Sequence, residues 1–384
     1  MPVDNSTFYA ACNLTGNPFR SNATFDDDPR LSIWAGQVKE REQFEKFLLR
    51  SRAEQVGNTN LTLLYGAYGT GKSHALLWGI HWLRNRADGG RSTAYYIPTL
   101  KKDKGKLSFA GAFQDDLIAK TGLVEEALLY RTWLQRAVNQ FTGENEEVII
   151  AASSDDIIER LIPAVELYNF AKDLFRYETE EAMRAFLAPK GQTDYQAMIA
   201  FSRLANLFVY ELRFKDEVRR FRQSVHLMID ELDVLLQAST KEVLEVNDLI
   251  RHLYDLCPNC FGLVLAVSAE QEILPSIFTE YVLTRVSRQI EFKPFDRNAA
   301  VEFATQVMDG SRNDPGAQGR TGAFPFTPDA LEAVLGQLTF RTPRKVVNVM
   351  QQLIEEARLA DLDPAQKAIT VGDLDASGIT EEVI

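Results

Sequence analysis

Eight consecutive residues, Gly66-Ala67-Tyr68-Gly69-Thr70-Gly71-Lys72-Ser73, satisfy the pattern GxxxxGK[ST], which holds the phosphates of a nucleoside triphosphate. Glycines let the backbone turn sharply and aim successive N–H groups at phosphate oxygens. A helix starting at the same point adds its positive dipole end. In this reading residues 66–73 and His74 cradle ATP, Lys72 reaches the β- and γ-phosphates, and Ser73 ligates Mg2+. A second constellation, Asp230-Glu231-Leu232-Asp233, follows the apolar run 225–229. Asp230 would hold the Mg2+ through water and Glu231 would polarise the attacking water as general base. An acidic cluster after a strand can also be a solvated loop; the phosphate loop upstream favours the chemical reading. Ser268, at the end of the apolar run 262–267, is placed to position that water or to contact the γ-phosphate.

These residues need a strand, a loop and a helix in that order. The β-type run 61–65 precedes the phosphate loop and a helical pattern over 74–83 follows it. Further strands are expected at 93–97, 225–229, 262–267 and 288–292. The predicted fold class is α/β: a P-loop NTPase with a parallel five-stranded sheet flanked by helices, a helical insertion and a C-terminal α-helical lid domain. More than 120 residues separate the second strand from the third, far beyond what a βαβ crossover needs. Helical patterns over 113–121, 125–141, 154–175, 180–186 and 198–221 fill the gap, giving an insertion over about 122–222. Past Pro294 come helices at 297–308, 327–338 and 343–359. The polar, glycine-rich stretch 309–322 between them has the composition of a mobile loop. The domains expected are an extended arm (1–32), a nucleotide-binding α/β domain (33–293) and the lid (294–384).

The chain has 384 residues, 45% hydrophobic and 25% charged, enough for two or three cores. No apolar run approaches the roughly 18–20 residues that span a bilayer, and the start lacks a basic and then apolar leader. A cytoplasmic protein without a membrane partner is expected. Cys257 and Cys260 have CxxC spacing, but structural zinc needs four ligands and no second pair exists, so a plain turn is the simpler reading. A net charge of −12 gives no global pull toward nucleic acid. A local patch would have to supply it. Lys101, Lys102, Lys104 and Lys106 can track the phosphate backbone of double-stranded DNA, though a charge run is also commonly a solvated loop.

Taken in order, GAYGTGKS, LMIDELD, a strand ending in Ser268, RVSRQIEFKPF and FRTPRKVVNVM resemble the AAA+ ATPases, in the branch of origin-recognition initiators and transposition regulators. The resemblance covers about residues 33–380. It implies that Arg288 or Arg285 acts in trans on the γ-phosphate of a neighbouring subunit, and that Arg344, after Pro343, touches it in cis. Charge developing on the γ-phosphate oxygens makes a guanidinium there valuable, whereas surface ion pairs are the alternative use of these arginines. Arg341 stands where the pattern commonly has glycine, and a winged-helix module after the lid is not expected. The insertion also gives a similarity of layout to ATPases of anti-phage systems such as BREX.

The function expected is that of a low-turnover, assembly-stimulated ATPase, a homo-oligomer with ATP at its subunit interfaces. It would couple ATP state to DNA association and to recruitment of an effector (nuclease, transposase or replication factor) in a mobile-element, replication or phage-defence system. The alternative is a regulatory ATPase subunit of a bacterial defence complex that works through protein partners without binding DNA.

Overall fold

The computed structural model describes residues 5–19, 29–52, 59–86, 91–103, 105–144, 153–215 and 217–383. It divides into two compact units, one of residues 43–65 and 79–290, the other of 1–42, 66–78 and 291–384.

The first unit is built on strands β1 (Asn60–Tyr65), β2 (Ser92–Ile97), β7 (Ser224–Ile229), β8 (Phe261–Val267) and β9 (Val286–Glu291). Their order in the sheet is β2-β7-β8-β1-β9. Every residue of β1, β7 and β8 is buried, as continuous apolar runs require when a parallel sheet is covered on both faces. The register pairs Tyr65 with Val267 and Ile229 with Leu265, so β1, β7 and β8 end together at one sheet edge. The phosphate loop leaves from Tyr65 and the acidic segment from Ile229.

Between β2 and β7 lies the insertion. It opens with a hairpin, β3 (Lys101–Asp103) and β4 (Lys106–Ser108), and a short helix, Phe109–Ala112, that continues as π-helix over Phe113–Ile118. Helices Leu123–Glu144, Ser154–Leu161, Val165–Phe175, Glu180–Leu187 and Asp194–Val209 follow. Capping boxes at Ser153/Asp156 and Thr193/Gln196 start two of them. Two expectations change here. The helix expected over 154–175 is broken at Pro163, which lacks an N–H and forces Ile162 out of helical geometry. The helix expected to reach 221 stops at Val209 and gives way to a hairpin, β5 (Leu212–Arg213) and β6 (Val218–Arg219). There the pattern alternates, Leu212 buried, Arg213 exposed, Phe214 buried, which is strand period.

Insertion and sheet share one core. Tyr130 packs against Phe208 and, edge to face, against Phe221, with ring centroids 5.5 and 5.4 Å away, and Phe201 bridges Tyr95 and Phe261 at 6.1 and 6.2 Å. Each such buried ring contributes roughly 2–3 kcal/mol. Within β7, His226 is fully buried beside Gly262, where a Cβ would meet its ring at 2.3 Å. Burial pushes the imidazole pKa down to about 4 from 6.5. Its neutral form is the folded form, so the stability it supports is present above pH 6.5 and is lost as pH falls toward 4, by up to about 3 kcal/mol. Thermal unfolding across that window should show the loss in wild type and a flatter profile in His226→Leu.

The second unit holds helices Asn5–Ala11, Arg297–Asp309, Pro328–Gly336, Pro343–Leu359, Val371–Ala376 and Ile379–Val383. The segment expected as an extended arm is helical over Asn5–Ala11, and Phe8, Cys12, Leu14 and Phe19 join Phe303, Leu331, Val346 and Met350 in one core. The loop whose composition suggested mobility is tied down. Arg312 lies inside it and donates to the carbonyls of Cys12, Gly322 and Phe324 at 3.2, 2.7 and 2.8 Å. Among the described residues no helix is long and apolar enough to cross a membrane.

Candidate functional site

The phosphate loop belongs to the second unit. Gly66, Gly69 and Gly71 take φ of +135°, +78° and +103°, a region that favours glycine. At Gly66 a Cβ would come within 2.2 Å of the Phe292 carbonyl oxygen. Lys72 begins the next helix, Lys72–Arg84, and is 5% exposed. Its ammonium donates to the carbonyls of Gly66 and Ala67, both at 2.9 Å, and to Thr70 Oγ1 at 3.4 Å. The N–H groups of Gly69, Thr70 and Gly71 meet no acceptor among the described residues. Oriented N–H donors, one buried ammonium and the half-buried Ser73 hydroxyl form the donor set that a triphosphate and Mg2+ require. His74 turns its Nε2 to the Ile33 carbonyl at 2.9 Å.

The lid helix, Pro343–Leu359, starts against this loop. Thr342 caps it, and the Arg344 N–H donates to the Gly69 carbonyl at 3.2 Å. The Arg344 guanidinium lies 4.4 Å over the ring of Tyr68, itself 69% exposed. Arg341, unexpected at its position, donates to the carbonyls of Leu335 and Gly336 at 2.9 and 2.8 Å and so caps the preceding helix.

The carboxylates belong to the first unit. Asp230 is 3% exposed and accepts hydrogen bonds from the Tyr96 hydroxyl at 3.0 Å and the Glu231 N–H at 2.8 Å. Burial, then the neighbouring Asp230, push the Tyr96 pKa well above its ordinary value and keep the phenol a donor. Glu231 is exposed and left-handed, with φ 51° and ψ 40°, which costs a non-glycine residue about 1–2 kcal/mol. Strain of this kind concentrates at functional sites. Asp233 accepts the Ser268 N–H at 3.2 Å, joining the segments that follow β7 and β8.

Arg285 and Arg288 differ. Arg285 is occupied, donating to the Tyr281 carbonyl at 2.8 Å and pairing with Asp255 at 3.5 Å. Half-buried on β9, Arg288 makes no side-chain hydrogen bond or ion pair among the described residues. The lysine cluster forms the β3–β4 hairpin. Lys101 pairs with Asp115 and Asp116 at 3.2 and 3.3 Å, while Lys102 and Lys106 are exposed; Lys104 lies outside the described residues.

Sequence reasoning missed Tyr96 and Gln37. A tyrosine near the end of a buried strand needs a partner for its hydroxyl, which was a usable signal for the first. Gln37 contacts the loop through its side-chain amide, donating to the Thr70 carbonyl at 3.2 Å, and no periodicity announces that.

With β1 running into a phosphate loop, and two strands interposed between it and the outer strand β2, the topology is decisive. The fold is that of a P-loop NTPase with a five-stranded sheet. No family model and no curated protein matches the chain. Among solved structures it is similar to the Aeropyrum pernix ORC1 protein in complex with DNA: 10% identity, 93% of this chain, 70% of that one, TM-score 0.49. It is also similar to a Walker-type ATPase of Pyrococcus abyssi, with 17% identity over 94% of this chain and 78% of that one, TM-score 0.47. A third similar structure is domain III of the Thermotoga maritima replication initiation protein DnaA, with 11% identity, 92% and 97% coverage and TM-score 0.43.

Proposed function

We propose that the chain is an ATP-binding and ATP-hydrolysing switch that works as an assembly. The observation that carries this reading is the pairing of loop and lid in one unit: Gly69 and Tyr68 of the phosphate loop are both engaged by Arg344. Occupancy of the loop and the position of the lid helix are thereby linked. Lys72 and the loop N–H groups would bind phosphate, Ser73 and Asp230 would be the Mg2+ ligands, and Glu231 would take the proton of the attacking water. Bound Mg2+ would neutralise charge building on the phosphate oxygens. Tyr96 fixes the Asp230 carboxylate, and Ser268 sits on the segment tied to Asp233.

Arg288 is the arginine that serves a neighbouring subunit in this reading, since Arg285 is already paired within its own chain. Such an arginine contributes on the order of 10³-fold or more to turnover. Arg288→Ala should therefore keep ATP affinity and lose hydrolysis, and mixing it with Lys72→Ala protein should restore activity through shared sites. Wild-type turnover by Arg288→Ala alone would remove the arginine from the mechanism.

The assembled, ATP-bound form would associate with DNA and recruit an effector, with Lys102 and Lys106 as the exposed cations of the hairpin. A second reading, regulation of a defence complex through protein contacts alone, is favoured by two observations. Lys101 is neutralised by its aspartates, and Leu129, Val165 and Tyr195 of the insertion are 57%, 61% and 63% exposed.

A further inference from the structure

Gln37 is a left-handed residue, φ 46°, that immediately precedes the helix Val38–Arg50. Glutamine gains nothing locally from that conformation, so the surrounding contacts must hold it there. Both of its side-chain N–H directions are used. Nε2 donates to the Thr70 carbonyl at 3.2 Å and to the Lys293 carbonyl, on the chain leaving β9, at 3.1 Å. Its backbone carbonyl accepts from the Arg41 N–H at 3.0 Å and from Trp34 Nε1 at 3.3 Å. The preceding Gly36 N–H is held by Gln306 of the helix Arg297–Asp309 at 2.8 Å. The residue is anchored on every side.

In a planar trans peptide the C=O and the next N–H point in opposite directions. Whatever holds the Thr70 carbonyl therefore aims the Gly71 N–H. The same logic applies one peptide earlier, where the Arg344 N–H holds the Gly69 carbonyl and so aims the Thr70 N–H. Two successive donors of the loop are thus oriented from outside it, one by a linker side chain and one by the lid backbone.

We infer that Gln37 is a positioning residue for phosphate binding, setting the direction of the Gly71 N–H through the Thr70 carbonyl. This rests on the reading of residues 66–73 as an ATP site. Gln37→Leu keeps the bulk and removes both donors. Gln37→Glu substitutes a carboxylate that repels both carbonyls until it is protonated.

The test is titration of each purified protein with ATP and with adenosine, read by tryptophan fluorescence, with thermal unfolding as the check on folding. Trp34 and Trp78, whose rings are 4.9 Å apart in the same unit, supply the signal. Losing one oriented donor to a charged phosphate should weaken ATP binding roughly 10- to 100-fold in Gln37→Leu while adenosine binding stays the same. In Gln37→Glu, ATP affinity should recover in part as pH falls through the carboxyl titration, relative to wild type over the same range. A merely structural role would lower ATP and adenosine affinity together and would leave no pH signature. ATP affinities in both variants within about threefold of wild type would overturn the inference. Wild-type protein that binds no ATP would instead remove the ATP-site reading on which it depends.

Discussion

Lys72→Ala is expected to lose ATP binding by at least about 30-fold, because the ammonium is the one fixed full charge placed inside the phosphate loop. At 5% exposure it has already lost its hydration and exchanged it for the carbonyls of Gly66 and Ala67 and the Thr70 hydroxyl. It can turn from those neutral acceptors to phosphate oxygens with a gain in charge and no further desolvation. Truncating one partner of a buried, hydrogen-bonded charge pair costs roughly 2–5 kcal/mol, which is the basis of the factor given. Some of the loss will arise in the loop itself, since two carbonyls lose their donor. Calorimetric titration with ATP, beside a thermal unfolding curve, separates the two: a folded protein that binds ATP within threefold of wild type would remove Lys72 from the site.

The parts legible in the sequence were those set by local rules. Mostly apolar runs at 61–65, 225–229 and 262–267 are short enough to read as strands covered on both faces, and these strands lie together in the sheet. The glycine spacing at 66, 69 and 71 is a backbone requirement, visible wherever φ must be positive. The break at Pro163 was equally visible, being a covalent property of proline, and the apolar periodicity on either side masked it. The short helix at Asn5–Ala11 was not, because Asn, Ser and Thr favour caps and turns, and what holds the segment is burial of Phe8 against the lid core. At the phosphate loop and at the acidic segment, the Gln37 and Tyr96 contacts join residues 33 and 134 positions apart. Contacts of that range are decided by tertiary packing, which no window along the chain samples.

Glu231→Gln should bind ATP as wild type does and turn it over at least about 100-fold more slowly, the low end of what a positioned general base contributes. The side chain keeps its shape and loses its capacity to take a proton. Backbone geometry makes the assignment testable in a second way. Glu231 sits at φ 51° and ψ 40° while exposed, directly after the buried Asp230 that its own N–H binds. Glycine would occupy that conformation without penalty, so Glu231→Gly should be more stable than wild type by about 1 kcal/mol and still be inactive. Retaining a strained acid where glycine would be more stable is the mark of a residue kept for chemistry. If Glu231→Gly is less stable, the side chain is structural and the argument from strain fails. With hydrolysis blocked, the ATP-bound assembly should accumulate, and particles of Glu231→Gln protein imaged with ATP, with and without duplex DNA, then discriminate the two readings of function. Oligomers that form only on DNA support the DNA-coupled switch; oligomers that form equally well without it, and do not retain DNA on a sizing column, leave the insertion and its exposed Leu129, Val165 and Tyr195 as the working surface.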